Sequence, residues 1–144
     1  MEKVFKDSLA RISGKKIDGQ SFLDYFYKIF LESSDEIKNK FKNTDLNLQT
    51  KMLRKSISEL VHFYISKKVS SDLYCIGQSH NKDNLNIRPV MYDLWLQKLT
   101  EAVQKFDDQY SSQVELAWHI ILAPGIAFMK YSYDHEDVHV DEFG

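Results

Sequence analysis

Large apolar side chains recur at three- and four-residue intervals along nearly the whole chain, which places them on one face of successive helices rather than on strands. Phe5, Leu9 and Ile12 form the first stripe, ended by Gly14. The second runs through Phe22, Phe26, Ile29 and Phe30, with Tyr25 at its edge, on a helix expected to start at Asp18 and reach Leu31. Ser33-Ser34 followed by Asp35-Glu36 marks a short third helix, ended by the turn-like Phe41-Lys42-Asn43-Thr44-Asp45. Thr44 or Asp45 then caps a long helix whose face is Leu46, Leu53, Ile57, Leu60, Val61 and Tyr64, with Gln49 and Met52 beside it. After a pause at residues 67–71, a short helix over residues 72–80 leads into the polar Asn81-Lys82-Asp83-Asn84. Pro89 suits the first position of the next helix, which carries Val90, Leu94, Trp95, Leu99, Ala102, Val103 and Phe106. The last helix starts at Ser111-Ser112 and carries Val114, Ala117, Trp118, Ile121, Leu122, Ile126 and Met129. Pro124 and Gly125 fall inside it, so it is expected to kink or break in two there.

Two Pro and five Gly are too few for a turn-rich β fold, so the expected class is all-α. A length of 144 residues fits one domain with one core, here residues 1–131, followed by an acidic tail over residues 132–144 that lacks an amphipathic face. Net charge is −2 with no cluster of Lys and Arg, which disfavours nucleic acid as the partner. The apolar run over residues 120–128 is broken by Pro124 and too short to span a bilayer. Residues 1–7 lack the apolar segment of a signal peptide, and Cys75 alone cannot form an internal disulfide; both favour the reducing cytoplasm.

The histidines carry the chemistry. His135 and His139 are four apart in the acidic tail, where a solvated role is the simpler reading. His119 beside Trp118 and His62 on the flank of the long helix read as structural. None belongs to a His-Glu-x-x-His or paired-cysteine zinc pattern. His80 differs in its setting. It ends the short helix Leu73-Tyr74-Cys75-Ile76-Gly77-Gln78-Ser79-His80, and after a polar loop Leu85-x-Ile87-x-Pro89-x-x-Tyr92 opens a long helix, with Trp95 soon after.

This arrangement resembles the bacterial globins of the sensor-type branch, in which an Ile-x-Pro-x-x-Tyr stretch and a tryptophan follow the iron-binding histidine. Phe22-x-x-x-Phe26-Tyr27-x-x-Phe30, Ser33-Ser34-x-Glu36-Ile37-x-x-x-Phe41 and Thr44-Asp45-x-x-x-Gln49-x-x-Met52-Leu53 resemble that family's second helix, the following turn and the start of its distal helix. Ala117-Trp118 and Leu122-Ala123-Pro124-Gly125-Ile126-x-Phe128-Met129 resemble its last helix, so the likeness spans residues 4–131. It implies a globin fold of roughly six to eight helices enclosing a haem pocket.

The resemblance makes His80 the proximal ligand of haem b iron, with Phe41 flat on the porphyrin. Gln49 takes the place of the distal gate, where its amide can donate to bound oxygen, and Leu53 bounds the distal space. Phe26 falls where many bacterial globins carry a hydrogen-bonding tyrosine, with Tyr25 and Tyr27 as its neighbours. Ile87 and Tyr92 line the cofactor within the motif after His80. The ligand implied is a diatomic gas: oxygen, carbon monoxide or nitric oxide. The role implied is gas sensing, with the signal passed to a partner or an output domain, and with the last two helices as a contact between two copies. Oxygen carriage and nitric oxide detoxification stand as alternatives; the latter is an enzyme activity that needs an outside reductase, since no Gly-rich dinucleotide motif is present. A haem-free regulatory domain is the third, because Phe22, Phe26, Phe30, Phe41, Leu53 and Ile57 would equally fill a helical core.

Overall fold

The structure, a computed structural model, describes residues 1–135; residues 136–144 of the expected tail, His139 among them, lie outside the described residues. Among the described residues there are seven helices: α1 (Glu2–Ser13), α2 (Phe22–Glu32), α3 (Asp35–Lys40), α4 (Leu46–Ser66), α5 (Ser71–Ser79), α6 (Pro89–Phe106) and α7 (Ser112–Ser132). Between α1 and α2 lies a hairpin of β1 (Lys16–Ile17) and β2 (Gln20–Ser21), antiparallel with Lys16 opposite Ser21. The class is all-α. No described helix is long and apolar enough to cross a membrane.

Short polar side chains start most of these helices. Ser21, Ser34, Ser70 and Ser111 each accept the amide three residues on, at 3.2, 3.5, 3.0 and 3.2 Å. Asp45, not Thr44, caps α4, its Oδ1 accepting from the amides of Asn47 and Leu48. Caps of this kind contribute about 1 kcal/mol each. Pro89 opens α6, where its missing N–H costs nothing.

Three expectations need correction. The second helix does not start at Asp18, because Asp18 and Gly19 adopt φ of 51° and 79° and turn the hairpin instead. Positive φ at both central positions is the two-residue turn that Asp-Gly favours, and the helix therefore begins after the Ser21 cap. The last helix does not break: α7 continues through Pro124. Gly125 just after it lies so close to Leu60 that an added β-carbon would collide, and this packing holds the helix against α4. Leu46 and Val90 are exposed rather than buried, because they sit in the first turns of α4 and α6.

The chain divides into two compact units. One comprises Met1–Thr50 and Asp93–Ile120. Its core is aromatic: the Trp118 ring lies 4.6 Å from Phe5 and 6.1 Å from Phe22, and Phe22 lies 6.2 Å from Phe106, all edge-on. The Trp118 indole donates to Ser8 Oγ at 3.0 Å, Ser8 donates to Asp107 at 2.7 Å, and Arg11 meets the same carboxylate with two nitrogens at 2.6 and 2.8 Å. Lys15 caps the end of α6 by donating to the Phe106 carbonyl. The other unit comprises Lys51–Tyr92 and Ile121–Gly144, and its core is mainly aliphatic, with Leu53, Ile57, Leu60, Val69, Leu73 and Ile126 buried. A second close crossing of this unit is at Gly77, where an added β-carbon would sit 2.9 Å from Ser132 Oγ.

Candidate functional site

In the second unit, His80 occupies the C-cap of α5, with its amide bonded to the Ile76 carbonyl at 3.1 Å. Its ring Nδ1 lies 2.7 Å from the same carbonyl and 2.9 Å from Ser79 Oγ. A carbonyl only accepts, so Nδ1 carries the proton, and Ser79, which donates its own proton to Ile76, accepts alongside. Burial lowers the His80 pKa below the usual histidine range, outweighing the Ile76 contact that favours the charged form. A neutral ring protonated at Nδ1 leaves the Nε2 lone pair free, the state in which imidazole binds a metal. Ile87 is half-buried and donates its amide to the His80 carbonyl at 3.0 Å. Tyr92 is buried on the first turns of α6, and burial raises its phenol pKa. Leu53 is buried on α4.

In the first unit, Phe41 ends α3, its ring 6.0 Å from Tyr27 and 6.2 Å from Phe30. Tyr27 is buried, and its hydroxyl donates to the Gln49 carbonyl at 3.4 Å. Burial pushes its pKa up to about 12, although the Gln49 side chain pulls the other way by hydrogen bonding. The phenol therefore keeps its proton at any physiological pH. Tyr27, Phe41 and Gln49 thus come together, whereas Phe26 turns into the core, stacked on Phe30 at 5.2 Å and edge-on to Trp95 at 6.1 Å. Sequence reasoning put Phe26 at the tyrosine position and left Tyr25 and Tyr27 open as alternatives one residue away. The readable signal was a second stripe, Leu23, Tyr27 and Phe30, which is as apolar as the first.

The remaining histidines stand apart from these groups. His62 is exposed, His119 is half-buried with Nε2 lacking a hydrogen-bond partner, and His135 is exposed and stacked on Tyr131 at 3.9 Å. Among the described residues no three of His, Cys, Asp and Glu gather to hold a metal ion between them.

No protein-family model matches the chain, and no curated protein does. A crystal structure does: a Pseudomonas aeruginosa protein described as structurally highly homologous to a human haemoglobin superposes with a TM-score of 0.84. The two sequences are 35% identical over 92% of this chain and 98% of that one. The chain is a globin. Identity at this level over nearly both full lengths carries more than a shared helical architecture. The globin fold also accounts for the short α3 and the long α4 that follows it, which bring Phe41 and Gln49 to one place beside Tyr27.

Proposed function

We propose that this globin holds haem b through His80 and reversibly binds a diatomic gas, in gas sensing that passes a signal to a partner or an output domain. The observation that carries the haem reading is the His80 ring itself: neutral, protonated at Nδ1 by its bond to Ile76, and offering Nε2. Bound haem supplies a ferrous iron whose open side takes the gas.

The chain's own residues do the rest. With haem bound, Phe41 would pack against the porphyrin and keep water away, and Leu53, Ile87 and Tyr92 would line the cofactor. Gln49 would supply a donor toward the ligand through its side-chain amide, and Tyr27 rather than Phe26 is the α2 residue beside it that could add a second by turning its hydroxyl from the Gln49 main-chain carbonyl to the ligand. Its raised pKa keeps it a donor.

The test is haem retention in His80→Ala beside His119→Ala. Haem content falls sharply in the first and stays at the wild-type level in the second. Equal haem in all three proteins would remove His80 from the iron.

A further inference from the structure

A helix end is where hydrogen bonds run out and the backbone frays, and His80 sits at one. Many helices solve this with a glycine just beyond the cap; here that position is Asn81. Asn81 is buried, and its Oδ1 accepts the amides of Asp83 and Asn84, each at 3.1 Å. Its Nδ2 donates to Gln78 Oε1 at 3.4 Å, and its carbonyl accepts the Asn86 amide at 2.8 Å. Asn84 closes the turn from the other side by donating to the Gln78 carbonyl at 2.7 Å. The chain is thereby folded back on α5, so that the Leu85 and Ile87 amides reach the carbonyls of Ser79 and His80 at 3.1 and 3.0 Å.

The far side of this loop is anchored as well. Asn86 adopts φ 54°, a left-handed conformation that asparagine tolerates better than most residues. From there its Oδ1 accepts the Tyr133 hydroxyl at 2.6 Å, while the Lys82 amide donates to the Tyr133 carbonyl at 3.0 Å.

We infer that Asn81 is a positioning residue for His80, the hub of a clasp whose outer anchor is Tyr133. Asn81 touches no ligand; it acts by fixing the backbone on both sides of the histidine. The inference rests on the haem reading above and adds what holds the ligand in place.

The experiment uses the haem-loaded chain and two readouts: the rate of haem loss to an excess of a competing haem acceptor, and the iron–histidine stretching band of the ferrous protein. Asn81→Leu loses haem about tenfold faster, with the band shifted or broadened, as expected for an outer-shell partner of a metal ligand. Asn81→Asp keeps both acceptor contacts to Asp83 and Asn84 and restores the wild-type band. A folded Asn81→Leu protein with wild-type haem loss and an unmoved band overturns the inference. If that variant does not fold, Tyr133→Phe decides, since it removes only an outlying hydroxyl: faster haem loss supports the clasp, and wild-type loss overturns it. A wild-type chain that takes up no haem overturns the haem reading itself, and the inference with it.

Discussion

At the residue scale the sharpest question is which side chains face the ligand. The Tyr27 hydroxyl donates to the Gln49 main-chain carbonyl and could turn toward a ligand, while the Gln49 side-chain amide is a donor in its own right. Oxygen bound to ferrous iron carries partial negative charge, and carbon monoxide carries little. One hydrogen bond contributes about 1 kcal/mol, more toward a charged acceptor, which corresponds to roughly a fivefold change in rate. Stopped-flow oxygen dissociation is therefore expected to be about fivefold faster or more in both Tyr27→Phe and Gln49→Leu. Carbon monoxide dissociation changes much less. If the oxygen rates of both variants equal wild type, neither residue bonds the ligand.

The expectation at His80 rests on a distinctive flanking sequence: a short helix before it, then Ile87, Pro89, Tyr92 and Trp95 at fixed spacing. The partner of Gln49 was not legible. Successive helical residues point about 100° apart, so Tyr25, Phe26 and Tyr27 face three different directions. Only the rotation of α2 within the packed structure decides which of them reaches Gln49, and local pattern does not encode that rotation.

At the scale of elements, the starts of α3, α4 and α6 could be read because Ser34, Asp45 and Pro89 are chemically suited to those positions, whereas the Ser70 cap of α5 fell within the expected pause. The hairpin at Asp18-Gly19 was missed because aspartate also caps helices, and the competing turn chemistry won. α7 continues past Pro124, and the close approach of Gly125 to Leu60 just after it is a contact that no pattern along one helix reveals.

Two predictions belong to this scale. Gly77→Ala places a methyl 2.9 Å from Ser132 Oγ and 3.2 Å from the Phe128 ring. Overpacking of that kind costs about 1–3 kcal/mol, so urea unfolding should shift to lower denaturant despite the better helix propensity of alanine. The second concerns the α1–α6 junction. Burial alone would raise the pKa of Asp107, but hydrogen bonds from Arg11, Ser8 and the Gln109 amide outweigh it and hold the carboxyl below the ordinary carboxylate range. A depressed folded pKa gives stability that is present above the unfolded value and lost as pH falls through the folded one. Thermal midpoints should therefore drop below about pH 4, and Asp107→Asn should flatten that drop while lowering the midpoint at pH 7. An acid dependence identical in the two proteins would show that other carboxylates set it.

At the scale of the whole molecule, the two units each carry their own core, one aromatic around Trp118 and one aliphatic around Leu60 and Leu73. A haem that binds the folded chain and not the unfolded one stabilises the fold by mass action, by about 2.7 kcal/mol at a hundredfold excess over the dissociation constant. Haem-loaded protein should accordingly melt well above the haem-free form, and His80→Ala should lose most of that difference. Membership of the globins fixes the architecture; what this chain does with it turns on the iron. The direct measurement is the visible absorption spectrum of the purified protein, reduced under nitrogen and then exposed in turn to oxygen and carbon monoxide. The account predicts an intense porphyrin band that moves with each gas and returns when the gas is removed. A protein that stays colourless even after added haemin would contradict it, and would make this chain a globin that works without haem.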